Sequence, residues 1–123
     1  MKPSAFQRKW DVAILGAGPA GCALALMAVR AGLRVVLLEQ QRYPKRRPGE
    51  TLHPGAEPLF AQIGVWERIA AADFHRHHGV WVEWDAPRAF QSYGEDERGP
   101  WLGFQAERVR LDALLLAAVR GAG

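Results

Sequence analysis

The chain has 123 residues and a mass of 13.6 kDa, enough to bury a single hydrophobic core. Hydrophobic residues make up 49% of it and charged residues 24%, which excludes a disordered tail as a description of the whole chain. The net charge of +3 is too small to indicate nucleic-acid binding, and the single cysteine, Cys22, excludes an internal disulfide. The apolar runs at 12–15 and 35–38 fall far short of the roughly 20 residues that a membrane span needs. We therefore expect a cytoplasmic protein without a membrane span.

The first third of the sequence predicts a β-α-β unit. Residues 12–15 and 35–38 are continuously apolar, which is typical of strands covered on both faces of a parallel sheet. Residues 19–31 between them are mainly helix formers, with Pro19 suited to the first turn and Gly32 to the position after the last turn. Because a helical crossover joins the two strands, we expect them to be parallel.

The sequence after the second strand predicts one long loop and several shorter elements. The loop covers residues 40–53 and is polar and interrupted by proline, which is typical of a functional segment. The later elements are helices at 54–63 and 65–72, hairpin strands at 80–84 and 89–93, a polar loop at 94–100, a strand at 102–106 and a helix at 109–119. The predicted fold class is therefore α/β, with a Rossmann-like β-α-β unit and an antiparallel hairpin.

A glycine-rich turn joins the first predicted strand to the first predicted helix. Its sequence, Gly16-Ala17-Gly18-Pro19-Ala20-Gly21, is a G-x-G-x-x-G pattern in the strand–turn–helix context typical of dinucleotide binding. In this pattern the first glycine permits the tight turn, the second leaves room for a pyrophosphate, and the third lets helix and strand pack closely. Glu39 ends the second strand, where a carboxylate accepts hydrogen bonds from a ribose. The pattern favours a dinucleotide site, the alternative being a structural turn in another α/β protein.

Three segments resemble one group of flavoproteins, which contains aromatic-ring monooxygenases, geranylgeranyl reductases and flavin-dependent halogenases. The β-α-β unit at 11–39 is similar to the FAD-binding start of that group. The segment at 44–54, Pro-Lys-Arg-Arg-Pro-Gly-Glu-Thr-Leu-His-Pro, is similar to a loop that lies along FAD in the group. Arg108 and the residues after it, Val-Arg-Leu-Asp, are similar to a helix start whose arginine meets the cofactor.

The resemblance implies FAD as the cofactor and an incomplete FAD-binding domain at 1–123. Its parts would be the β-α-β unit at 11–39, a strap-like loop at 40–53, and the helices, hairpin and last helix at 54–120. The glycine pattern and the resemblance together give the candidate cofactor-binding residues, which are Gly16, Ala17, Gly18, Ala20, Gly21, Glu39, Lys45, Arg46, Gly49 and Arg108.

Several of these assignments leave alternatives open. Lys45 stands where the group usually has an arginine, so Arg46 or its neighbour Arg47 is a candidate to take that place. Arg108 is spaced to pair with Asp112 along a helix instead of meeting the cofactor. We assign no catalytic residue and no metal ligand, because the histidines at 75, 77 and 78 are expected to be solvated loop residues.

The resemblance implies FAD binding within a flavin-dependent oxidoreductase of the monooxygenase or halogenase kind, acting on an aromatic or tryptophan side-chain substrate. Halogenases of the group carry a lysine just before the strand at 80–84, whereas this chain has Arg-His-His-Gly there. The alternatives are a truncated, non-catalytic fragment and an NAD-binding module. The expected partners are a small-molecule or aromatic substrate and another chain bound through exposed sheet edges, with no nucleic acid.

Overall fold

The structure is a computed structural model that describes residues 8–43 and 46–123. The described residues form nine strands and four helices: β1 (Val12–Leu15), α1 (Pro19–Arg30), β2 (Val35–Leu38), β3 (Glu50–Leu52), α2 (Ala56–Gln62), α3 (Trp66–Ala71), β4 (His75–His77), β5 (Gly79–Val82), β6 (Ala89–Ser92), β7 (Glu95–Asp96), β8 (Gly99–Pro100), β9 (Gly103–Ala106) and α4 (Arg108–Ala122). In these two ranges no helix has the length and apolar character to cross a bilayer.

The chain divides into two compact units. The first consists of Met1–Arg46 and Val109–Gly123, and the second of Arg47–Arg108. The first unit contains the predicted β-α-β segment, and the second contains the antiparallel strands and the two short helices.

The β-α-β prediction is confirmed in the first unit. Strands β1 and β2 are parallel, with Val12 opposite Val35 and Leu15 opposite Leu38. Helix α1 connects them. The buried residues of α1 and the buried Ile14 of β1 belong to the core of this unit. Cys22 and Ala25 are fully buried at the start and middle of that helix, as small side chains must be where a helix packs closely on a strand.

Both ends of α1 carry the signals that the sequence predicts. Pro19 stands at the first helical position, where its missing N–H removes no helix hydrogen bond. At the other end Gly32 has a φ of +80°, its N–H bonds to the carbonyl of Val29, and the N–H of Leu33 bonds to the carbonyl of Ala28. This pair of bonds is a Schellman motif, which ends the helix and turns the chain into β2.

The second unit is organised around the central strand β9. Strands β3 and β4 pair with its two edges, both antiparallel. Phe104 of β9 is buried and meets the rings of Phe60 and Trp66 edge-on, at centroid distances of 6.3 and 5.9 Å. These contacts pack α2 and α3 against the sheet, so that helices and sheet share one small core. The predicted hairpin of β5 and β6 is confirmed as an antiparallel pair.

Several predicted boundaries are wrong. The predicted loop at 40–53 contains strand β3, and the predicted loop at 94–100 contains the antiparallel pair of β7 and β8. The predicted histidine loop is strand β4, and the last helix continues through Gly121 to Ala122. The short strands have no alternation of apolar and polar residues that would predict them. They form because a neighbouring strand supplies their backbone hydrogen bonds.

Candidate functional site

The glycine turn of the first unit begins at a position whose backbone conformation only glycine adopts easily. Gly16 has a φ of +99°, a conformation that is strained for residues with a Cβ atom. Its N–H donates to the carbonyl of Leu38 at 2.7 Å, which joins the end of β1 to the end of β2. The turn therefore starts at the carboxyl edge of the parallel pair, where open α/β sheets place their ligands.

The other two glycines of the pattern differ in what surrounds them. A Cβ atom on Gly21 would collide with the carbonyl oxygen of Gly16 and would lie 3.5 Å from Cγ2 of Ile14. A Cβ atom on Gly18 would meet nothing within 4 Å. Gly21 is therefore required by packing within the unit, whereas the absent side chain of Gly18 leaves open space in front of the turn, as a bound phosphate group requires.

Helix α1 points its first turn at this open space. The helix is 12 residues long, has no acidic residue in its first turn and receives no side-chain cap at Gly18. The partial positive charge of a helix N-terminus is therefore not neutralised by the helix itself. A turn of this kind can bind the oxygens of a phosphate or diphosphate through its backbone N–H groups.

Glu39 is held at the same turn by two backbone hydrogen bonds. Its Oε2 accepts the N–H of Ala17 at 2.8 Å, and its Oε1 accepts the N–H of Gln41 at 2.9 Å. Ala17 is only 1% exposed, so the carboxylate contacts the buried floor of the turn. These bonds hold the carboxylate at the turn, where a carboxylate can accept hydrogen bonds from the hydroxyl groups of a sugar.

Tyr43 is a site residue that sequence reasoning missed. Its hydroxyl donates to the carbonyl of Ala17, and the thiol of Cys22 donates to the same oxygen at 3.4 Å. Both backbone polar groups of Ala17 therefore have side-chain partners, Glu39 on the N–H and Tyr43 on the carbonyl. A lone tyrosine 26 positions after Ala17 carries no local signal for this contact, which only the fold creates.

The structure groups the candidate residues by unit. Gly16, Ala17, Gly18, Ala20 and Gly21 lie on the turn with Glu39 in the first unit, where Arg46 is exposed. Gly49 and Arg108 belong to the second unit, and Lys45 lies outside the described residues.

Gly49 and Arg108 of the second unit are linked through Glu50. Gly49 lies close to the backbone of Ala106, because a Cβ atom on Gly49 would be 3.2 Å from the Ala106 carbonyl oxygen. The next residue, Glu50, forms an ion pair with Arg108, whose NH1 lies 2.6 Å from Oε1. The sequence predicts the cofactor or Asp112 as the partner of Arg108, and Glu50 is an acidic partner that its local pattern does not indicate.

A second arginine of this unit lines an open cleft of about 740 Å³. Arg76 bonds to Glu57 at 3.2 Å and to the carbonyls of Leu102 and Gly103 at 2.9 and 3.2 Å. Its guanidinium carbon lies 3.9 Å from the ring centroid of Phe104. These bonds and the stacking hold Arg76 as part of the wall of the cleft.

His77 was expected to be a solvated loop residue, and this prediction is wrong. It lies on β4 against Gly103, and its Nε2 is 3.1 Å from the hydroxyl of Tyr93. The other ring nitrogen, Nδ1, is buried and has no hydrogen-bond partner within residues 8–43 and 46–123. Burial lowers the pKa of His77, and the neighbouring charges of His75, Arg76 and His78 lower it further, so the neutral imidazole is favoured.

Known proteins match most of this chain in sequence or in structure. The chain is 31% identical over 104 residues to a 1H-pyrrole-2-carbonyl-[peptidyl-carrier protein] chlorinase of Pseudomonas fluorescens, a match that covers 80% of this chain and 23% of that protein. It is 40% identical over 83 residues to a 6-methylpretetramide 4-monooxygenase of Streptomyces rimosus, covering 67% of this chain and 20% of the relative. Among solved structures, a myxobacterial FAD-dependent chondrochloren halogenase matches with a TM-score of 0.84 and 29% identity, over 93% of this chain and 27% of that one.

These matches define the family but not the whole activity. The chain spans about a quarter of the length of these relatives, 23%, 20% and 27% of the three. The family model described as FAD binding domain matches residues 9–117. Because this match covers most of the chain, the protein belongs to the FAD-binding domain family of the flavin-dependent monooxygenases and halogenases, and its cofactor is FAD.

Proposed function

We propose that this chain binds the adenosine diphosphate half of FAD on the Gly16–Gly21 turn, as part of a flavin-dependent oxidoreductase of the monooxygenase class. The observation that carries the proposal is the pairing of Glu39 with the Ala17 N–H beside the open space at Gly18. A carboxylate and a helix N-terminus next to each other provide one site for hydroxyl donors and one for phosphate oxygens.

The residues of the turn divide the work of binding. The backbone N–H groups at Gly18 and Ala20 bind the diphosphate. Gly18 has no side chain to block it, and the first turn of α1 has no acidic residue to repel it. Glu39 accepts hydrogen bonds from the ribose hydroxyls. Tyr43 holds the backbone of Ala17 in place through its hydrogen bond to the Ala17 carbonyl. Ala17 and Gly16 shape the turn without contributing polar side chains.

Lys45, Arg46, Gly49 and Arg108 stay further candidates for contact with FAD, as the resemblance implies, with positive charge on the three basic residues and no side chain on Gly49. The flavin itself supplies the redox chemistry when bound, so that the side chains of this chain bind and orient it.

The proposed class of activity is oxidation of a small aromatic molecule. Support comes from the relatives, one of which is a 6-methylpretetramide 4-monooxygenase and another a 1H-pyrrole-2-carbonyl-[peptidyl-carrier protein] chlorinase. Halogenation is the second candidate, and the chlorinase match favours it. The absence of a lysine from positions 75–79 favours the monooxygenase instead.

A competition experiment tests where FAD binds. FAD fluorescence is followed as the chain is added, and ADP, riboflavin and NAD⁺ are then titrated as competitors. We expect FAD to bind, ADP to displace it and riboflavin to displace it poorly, because the proposed contacts lie on the adenosine diphosphate half. Stronger binding of NAD⁺ than of FAD would contradict the proposal and support the NAD-binding alternative.

A further inference from the structure

The open cleft of about 740 Å³ lies entirely within the second unit. This volume falls within the range of roughly 300 to 1,000 Å³ that is typical of small-molecule sites. The walls of the cleft carry two indole rings and two guanidinium groups, which belong to Trp66, Trp101, Arg76 and Arg98. The cleft therefore combines flat apolar surfaces and positive charge in one cavity.

The hairpin of β7 and β8 holds the indole of Trp101 in the wall of the cleft. The backbone N–H of Trp101 donates to the carbonyl of Gly94 at 2.9 Å, and a Cβ atom on Gly94 would lie 3.3 Å from the Trp101 ring. The carboxylate of Asp96 accepts the backbone N–H of Arg98 at 2.8 Å and also bonds to the Trp101 side chain, and both bonds lower the pKa of Asp96. Trp101 is therefore fixed by its neighbours while it remains 47% exposed.

The guanidinium of Arg76 is also fixed in its orientation. Its Nε and NH2 groups donate to the carbonyls of Gly103 and Leu102, at 3.2 and 2.9 Å. The guanidinium carbon lies 3.9 Å from the ring centroid of Phe104 and 5.8 Å from that of Trp66. A ligand that bonds to NH1 therefore meets a group that is already oriented, which reduces the entropy cost of binding.

The acidic residues of the cleft have partners, whereas the arginines keep unused donors. Glu57 is paired with NH2 of Arg76 at 3.2 Å, and Asp96 has the two bonds given above. The part of the chain that the structure describes offers no hydrogen-bond partner to the Arg98 guanidinium or to NH1 of Arg76. These N–H groups are therefore available to an anion.

We propose that this cleft binds a small aromatic carboxylate, with its ring against the two indoles and its carboxylate on the unpaired arginine donors. Indole rings pack on flat aromatic ligands, and guanidinium groups form charge-assisted hydrogen bonds with carboxylates. A cationic ligand fits less well, because Glu57 and Asp96 already have partners. All these contacts lie in the second unit, so the site is independent of the proposed FAD site on the glycine turn.

Three probes test the class of ligand on the 123-residue chain. 2-Naphthoate has an aromatic ring and a charge, 2-naphthamide lacks the charge, and decahydro-2-naphthoate lacks the aromatic ring. In titration calorimetry we expect 2-naphthoate to bind, the amide to bind about three- to tenfold more weakly, and the saturated acid about two- to fivefold more weakly. No binding of 2-naphthoate, or equal binding of either analogue, would overturn the proposal.

Two arginine variants test the site of the charge. Arg98 is exposed, so Arg98→Gln leaves the fold intact, and we expect it to weaken 2-naphthoate binding about three- to tenfold. Arg88→Gln is the matched control, because Arg88 belongs to the same unit and stacks on Trp81 at 4.8 Å but does not line the cleft. We expect Arg88→Gln to leave the affinity unchanged, and equal affinities of the two variants would overturn the proposal.

Indole N–H resonances of the ¹⁵N-labelled chain locate the bound probe. We expect 2-naphthoate to shift the resonances of Trp66 and Trp101 and to leave that of Trp84, which is 87% exposed and lies outside the cleft. A shift of the Trp84 resonance without shifts of the other two would overturn the proposal. Failure of the chain to bind FAD would contradict the proposed function and leave this readout valid.

Discussion

Glu39 and Ala17 are joined by a hydrogen bond of 2.8 Å between a carboxylate oxygen at the end of β2 and a backbone N–H at the turn after β1. The two residues are 22 positions apart, and the parallel register of β1 and β2 brings them together. Glu39 therefore has two roles in our proposal. Its carboxylate stabilises the turn through the Ala17 N–H, and it accepts hydrogen bonds from the ribose hydroxyls when FAD is bound.

Two substitutions of Glu39 separate these tasks. Glu39→Ala removes both, and we expect FAD affinity to fall about 10- to 100-fold, because a hydrogen bond to a charged group contributes roughly 1.5 to 3 kcal/mol. Glu39→Gln keeps an oxygen for the Ala17 N–H, so we expect it to retain the wild-type melting temperature and still lose part of the FAD affinity. Titration calorimetry and thermal unfolding measure the two effects, and unchanged affinity in both variants would remove Glu39 from the site.

Gly18→Val tests the open space in front of the turn. A side chain there meets no protein atom, so we expect the variant to fold normally and to lose FAD binding by more than Glu39→Ala does, because valine occupies the proposed phosphate position. Gly121→Val is the control, since a Cβ atom at that glycine also meets nothing within 4 Å and it lies in α4. FAD binding is measured by fluorescence, and equal affinity of the two variants would contradict the phosphate site.

Tyr43→Phe tests the hydrogen bond below the turn. The variant removes the donor to the Ala17 carbonyl, which is buried, and we expect the free energy of unfolding to fall by about 1 kcal/mol. FAD affinity should fall only a few-fold, because Tyr43 supports the turn and does not contact the cofactor in our proposal. A loss as large as that of Glu39→Ala would instead indicate direct contact between Tyr43 and FAD.

The lowered pKa of His77 predicts a pH dependence of stability. Burial lowers the pKa of His77 in the folded chain, so below pH about 6.5 the unfolded chain binds the proton more readily. We therefore expect the free energy of unfolding to fall as the pH is lowered from 7.5 to 5.5. Urea unfolding measures this change, which should shrink in His77→Gln and persist in the control His78→Gln. An unchanged pH dependence in His77→Gln would contradict the prediction.

The sequence predicts the first unit better than the second for a physical reason. The strands β1 and β2 and the helix α1 are defined by local signals, namely two apolar runs, a proline and a glycine. Strand β4 consists of His-Arg-His, which has no apolar residue, and it forms because β9 lies beside it. The pairing of Glu50 with Arg108 depends in the same way on a contact across 58 positions, which no local pattern encodes.

The last prediction concerns the outer edges of the parallel pair. Among the described strands β1 pairs only with β2, and Leu15 and Leu38 at the ends of the two strands are 82% and 43% exposed. Unpaired backbone edges beside exposed leucines favour addition of another strand or another chain. We expect the 123-residue chain to associate as its concentration rises, which sedimentation velocity measures. Leu15→Lys places a charge at the exposed end of β1 and should reduce the association, whereas a chain that stays monomeric at all concentrations would contradict the prediction.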